Sequence, residues 1–132
     1  MQTYQIKTII NNTSIFECRC NSMKECVEIA IENNIKLSGV DLSGLNLENI
    51  NLENINLENI DLSNSDFTRS NLFSSNFTNS NLENAKFIAS DLENSIFTNA
   101  NLENAKLDGA KLKFCNFTNA NLKGTILYFS KS

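Results

Sequence analysis

Residues 75–94 read SNFTNSNLENAKFIASDLEN and residues 95–114 read SIFTNANLENAKLDGAKLKF, with 11 of the 20 aligned positions identical. Residues 115–124, CNFTNANLKG, begin the same pattern again. Self-similarity at a fixed period is the signature of a repeat architecture, in which one unit cannot bury its apolar face alone and neighbours must stack. Inside the 20-residue unit runs a shorter period. Leu or Phe stands at every fifth position from Leu37 to Leu127, in 19 consecutive pentads, although these two residue types fill only 24 of 132 positions. Neither the 3.6-residue period of a helix nor the two-residue period of a strand accommodates a spacing of five.

The other places in the pentad follow rules of their own. One residue before the central Leu/Phe, Asn or Asp predominates, as at Asp41, Asn46, Asn51, Asn56, Asp61, Asp66 and Asn71. The residue two before the centre is apolar or small throughout. Two after the centre, 14 of 19 pentads carry Asn or Gly. Those residue types tolerate left-handed backbone and make turns. Each pentad therefore reads as a short extended piece followed by a corner, and four pentads make one square turn of 20 residues.

Segments 80–84 (SNLEN), 90–94 (SDLEN) and 100–104 (ANLEN) closely resemble the A-(D/N)-L-x-x motif of the pentapeptide-repeat family, and the resemblance covers residues 35–129. It implies an all-β solenoid, a right-handed quadrilateral β-helix. Coils stacked at the strand spacing of about 4.8 Å would make a rod roughly 23 Å long. The central residues would form four ladders inside it, one all Leu (Leu42, Leu62, Leu82, Leu102, Leu122) and one mostly Phe (Leu37, Leu57, Phe77, Phe97, Phe117). The chain departs from the family two residues before the centre. Up to residue 60 it uses Ile35, Val40, Leu45, Ile50, Ile55 and Ile60, and only from Ser65 onward the small residues that the family prefers. Bulky groups overfill a narrow coil, so a wider first coil and a half is expected, or side chains leaning toward an N-terminal cap.

The cap is expected in residues 1–34, which do not repeat. Ser22 and Glu25 have the spacing of a capping box, and Met23, Cys26, Val27, Ala30 and Ile31 fall at helical intervals, predicting an amphipathic helix over 23–33. Ahead of it, Gln2–Ile10 and Ile15–Cys20 read as strands joined by a turn at Asn11–Ser14, with Phe16, Cys18 and Cys20 on one face. The domain plan is thus a hairpin-plus-helix cap (1–34), a β-helix (35–129) and a short tail (130–132).

Chemistry is harder to find. The chain contains no His, which removes the usual general base and the commonest metal ligand. Cys18, Cys20 and Cys26 lack a His to complete a zinc site and, with Cys115, are expected to be reduced core thiols. Stacked acids such as Glu83 and Glu103 follow from repeat copying on a solvated face. No catalytic, metal or cofactor-binding residue is expected, and no enzyme activity. The first residues lack a basic leader followed by an apolar run, so a cytoplasmic location is expected, and no stretch is long enough to span a membrane.

Function therefore reduces to binding. The first reading is a rigid protein–protein interaction module. The second draws on the family resemblance: some members resemble a B-DNA duplex and bind bacterial type II topoisomerases such as gyrase. A DNA mimic wants dense, continuous negative charge. Here residues 35–54, 55–74 and 75–94 each carry -2 (one base against three acids). Residues 95–114 carry +1 (three bases, two acids) and 115–132 carry +2 (two bases, no acid). The overall charge of -4 argues against direct nucleic-acid binding, and no membrane partner is expected. Near the C-terminal end, Phe114, Ile126, Tyr128 and Phe129 occupy places that are polar elsewhere. They are expected either to plug the last coil or to build a two-fold homodimer through the C-terminal ends, an arrangement that closes without fibres.

Overall fold

Every one of the 19 pentads turns on a residue in left-handed backbone, with φ between 56° and 75° at the position two after the central Leu/Phe. In 16 of them the central carbonyl accepts a hydrogen bond from the N–H three residues on, at 3.0–3.4 Å. Positive φ at the third turn residue alone defines a type II turn, and only Gly, Asn or Asp take that backbone cheaply. The Asn/Asp preference one residue before the centre has an equally local cause. In all 13 pentads that carry it, the side-chain Oδ1 accepts the N–H two residues later. This bond satisfies a backbone donor that the turn would leave free.

The computed structural model describes residues 1–132. Successive coils pair in parallel with a register of 20, through 15 bridges from Asp41↔Asp61 to Lys111↔Lys131. The chain is therefore a β-helical solenoid with four pentads to the coil. Inside, the ladders pack as the period requires. Phe67 stacks on Phe87 at 5.2 Å, and Phe77, Phe97 and Phe117 stack at 5.0 and 5.1 Å. The two columns meet edge-on at 6.1–6.3 Å, which is a favoured aromatic geometry.

The N-terminal segment closes one end. Strands β1 (Gln2–Thr8) and β2 (Ser14–Cys20) form an antiparallel hairpin, and β1 also pairs with β3 (Val40–Asp41) of the first coil. Helix α1 (Met23–Glu32) buries Cys26, Val27 and Ala30, which join Ile6, Cys20 and the Leu/Phe ladders in one continuous core. β1 stops at Thr8 rather than Ile10, because the chain turns at 9–11 and leaves Ile10 almost fully exposed. The capping box is shifted by one residue: Ser22 Oγ accepts the Glu25 N–H, but the Glu25 carboxylate reaches the N–H of Asn21. Residues 130–132 are not a separate tail. Lys131 bridges to Lys111 and Ser130 closes the turn on Leu127, so they begin another pentad.

The bulky residues of the first coils leave a visible trace. The turn bond is missing at Leu45, Ile55 and Ile60 and stretched to 3.4 Å at Val40. The carbonyls of Leu42, Leu52 and Leu57, left without that bond, instead accept the hydroxyls of Ser65, Ser75 and Ser80 in the coil above. The change from large to small residues in the sequence is thus the level at which one coil repairs the opened turns of another. Ile35, Leu45 and Ile55 remain half-buried, while Val40, Ile50 and Ile60 are enclosed.

Two outcomes test this packing. Ser75→Ala strips the sole partner from the Leu52 carbonyl and is expected to cost about 1–3 kcal/mol. Ser95→Ala should cost clearly less, because the Leu72 carbonyl keeps its bond from the Ser75 N–H; urea titration of both variants gives the comparison. Leu92→Lys places a charge in the sealed core and should cost about 4 kcal/mol or more. By contrast, Glu93→Lys on the solvated side should leave the melting temperature nearly unchanged.

Candidate interaction surface

The residues one before, one after and two after each centre point outward, and a register of 20 stacks them in columns. Acids stack on acids at two levels, Asp41 under Asp61 in the lower coils and Glu83 under Glu103 higher up. Burial opposes the charged form of Asp66, but bonds from the Thr68 hydroxyl and N–H, at 2.6 and 2.9 Å, with Lys86 nearby, outweigh it and hold the carboxyl below its ordinary range. In the upper coils lysines stack on lysines, Lys86 with Lys106 and Lys111 with Lys131. A single ion pair, Arg69 to Glu48 at 3.1 Å, joins charged side chains. Nearly all the charge on the rod is therefore without an ion-pair partner.

The four residues expected at a C-terminal interface do not plug the rod. Phe114, Tyr128 and Phe129 stand on its sides, 74%, 71% and 92% exposed, and only Ile126 is half-buried, bridged to Lys106. The open end of the lumen is lined instead by Leu122 and Leu127, 42% and 48% exposed, and by half-buried Phe117. Around it, the N–H groups of Phe117, Asn119, Leu122, Gly124, Leu127 and Phe129 have no acceptor, whereas their equivalents one coil below all donate to the next coil. Sequence reasoning ranked the substituted outward residues and passed over Leu122 and Leu127, because a centre position in the last coil looks identical to one in the middle.

The thiols take little part in this surface. All four are free; Cys20 and Cys26 are buried, Cys18 and Cys115 half-buried. Cys20 Sγ donates to the Ser22 carbonyl and Cys115 Sγ to that of Leu92. Burial, with the neighbouring Cys20, pushes the Cys26 thiol up to about 11, and burial does the same for Cys115. An open groove of about 420 Å³ lies between the end of α1 and the first coils, lined by Ile31, Ile35, Leu37 and Ile55 among others, and a second, of about 470 Å³, is lined by Ile9, Ile10, Ser38, Gly39 and Asn59.

The sequence profile described as "Pentapeptide repeats" matches residues 35–72, 50–87 and 85–124, in eight copies. The chain belongs to the pentapeptide-repeat family. Among solved structures, this pentapeptide-repeat protein is similar to one from the Arabidopsis thaliana thylakoid lumen, at 26% identity and a TM-score of 0.66, over 68% of this chain and 63% of that one. It is also similar to HetL from the cyanobacterium Nostoc, at 27% identity and a TM-score of 0.61, over 69% and 46%. A third, Rfr23 from the cyanobacterium Cyanothece, shares the fold at 24% identity and a TM-score of 0.54, over 79% and 95%. The repeat region thus spans under two thirds of the first two structures. No curated protein matches the sequence.

The thiols give this pentapeptide-repeat protein a pH dependence. Buried Cys26 and half-buried Cys115 keep their protons to about pH 11, whereas in the unfolded chain they titrate near 9.0. Between those values the unfolded state binds fewer protons, so stability falls as pH rises from 9 to 11. Melting curves over that range should show a shallower decline for a Cys26→Ala/Cys115→Ala variant than for the native chain.

Proposed function

We propose that this pentapeptide-repeat protein is a non-enzymatic, right-handed, four-sided rod that presents its side columns to another protein in the cytoplasm. One observation carries the reading. The backbone is spent on turns and inter-coil ladders and the core on packing, and the outward Asn and Asp brace the turns, while the outward lysines and all but one of the outward glutamates make no ion pair. A stiff scaffold with free, regularly spaced side chains holds an interface preorganised, which lowers the ordering cost of binding. HetL, similar in fold and sequence, is described as involved in heterocyst differentiation regulation, and a regulatory contact between proteins is in keeping with such a scaffold. Four free thiols suit a reducing compartment.

The open end suits a second copy. Leu122 and Leu127 would be covered by their equivalents across a two-fold axis, with Phe114, Ile126, Tyr128 and Phe129 at the rim, and the free N–H groups would be shielded or paired. The alternative, a duplex mimic directed at gyrase, is disfavoured by the lysine columns of the upper coils, which break the run of negative charge that a mimic requires.

Sedimentation equilibrium should find the native chain dimeric at micromolar concentration and Leu122→Glu monomeric with its circular dichroism unchanged. A native chain that stays monomeric at high micromolar concentration removes the end-to-end arrangement. A gyrase supercoiling assay should show no inhibition at low micromolar protein; inhibition would restore the mimic. Partner binding itself is read by cross-linking in host lysate. Charge reversal of the side columns (Glu83→Lys/Glu103→Lys) should abolish a specific cross-linked band that Ser75→Ala leaves intact.

A further inference from the structure

Phe114 and Phe129 are anomalous in two independent ways. Both occupy the left-handed turn position, with φ of 63° and 60°, where this chain otherwise places mainly Asn or Gly. A bulky side chain in that region is strained. Neither is buried in the fold, since they are 74% and 92% exposed. The sequence thus sets two apolar rings at strained corners and leaves them in water.

The corners bracket one side of the rod. Phe129 stacks above Gly109, at the corner that opens the side carrying Lys111, Lys113 and Lys131, and Phe114 stands at the corner that closes it. Lys113 Nζ lies 5.2 Å from the centre of the Phe114 ring, and Lys111 stacks directly under Lys131. Like charges stacked on neighbouring strands repel, and these three lysines have no carboxylate within ion-pair distance. Tyr128, 71% exposed, adds a third ring beside Phe129. On a wider scale the charge is polarised. Residues 105–132 hold five lysines and one aspartate, a net of +4, while residues 1–104 hold six bases and fourteen acids, a net of -8.

We infer that the upper edge of this side, with Lys111, Lys113 and Lys131 on it and Phe114, Phe129 and Tyr128 at its corners, docks the protein on an anionic lipid surface. Exposed rings that enter the headgroup region, ringed by lysines that meet acidic lipids, are the two components of interfacial binding. The polarity of the rod selects a membrane over other polyanions. A single-stranded nucleic acid needs a positive track that continues along the surface, and here Asp91, directly under Lys111, and Glu93, under Lys113, end the track one coil down. A planar membrane that meets the rod obliquely, at the upper edge of this side, touches the rings and lysines while the acidic lower coils tilt away from it. The overall charge of -4 averages over these two ends and hides the basic one.

Co-sedimentation of the full chain with phosphatidylcholine vesicles containing about 30% phosphatidylserine tests the inference, with pure phosphatidylcholine vesicles as reference. Binding is expected to the acidic vesicles only and to fall with added salt. Phe114→Asn/Phe129→Asn restores the residue that the turn prefers, so this variant should melt higher than the native chain while losing about tenfold in partitioning. Lys111→Gln/Lys113→Gln/Lys131→Gln should lose at least as much and become insensitive to salt. Failure to bind acidic vesicles at low salt overturns the inference, as does equal binding by the Asn variant. Tight binding of a fluorescent oligouridylate without vesicle binding overturns it in favour of a nucleic acid. Loss of dimerisation in the Leu122→Glu variant with vesicle binding retained separates this inference from the end-to-end arrangement.

Discussion

The fixed register of 20 residues between neighbouring coils is the constraint on which everything else in this protein rests. It is enforced from two sides. The backbone ladder pairs residue n with n+20 along most of the chain, and the side chains inside the coil stack only when one Leu or Phe centre lies on another. A coil alone has no interior; it acquires one from the coil above and the coil below. An insertion of one residue in a pentad would turn every later side chain out of its ladder.

Given that register, the chain must turn a corner every five residues, and the corner requires left-handed backbone. Ten Asn and four Gly supply it at low cost, but Arg69, Ser74, Ala89, Phe114 and Phe129 adopt the same φ although their types do not favour it. The ladders on either side impose the conformation. The corner is therefore a position where the fold tolerates an unsuitable residue at an energetic cost, which makes the occupants informative. Three of the five exceptions are small or polar. The two phenylalanines lie in the upper coils beside the lysines.

The same stacking converts local sequence differences into surface columns. Lys86 and Lys106 are 20 residues apart in the chain and adjacent on the rod, as are Lys111 and Lys131. Composition reports a mildly acidic protein. The solenoid resolves that average into a basic aromatic end and an acidic body, and contacts with a partner follow local fields within a Debye length rather than the net charge.

The sequence by itself determined the period, the ladders and the corners, because each of these depends on residue type at a fixed spacing. Asn/Asp before the centre, Asn/Gly after it and Leu/Phe at it are local requirements of one turn repeated 19 times. The hairpin and helix of the N-terminal segment were legible for the same reason, from a two-residue alternation and a capping serine. The tertiary structure alone decided three things. It showed that the Ser65, Ser75 and Ser80 hydroxyls take over carbonyls freed by Leu45, Ile55 and Ile60, which requires knowing which coil lies over which. It placed Leu122 and Leu127 at an open end although they match the buried centres in every local respect, since their burial depends on a neighbouring coil and not on themselves. And it put Phe114 and Phe129 at two corners of one side, a relation fixed by the four-pentad coil and carried by no short stretch of the chain.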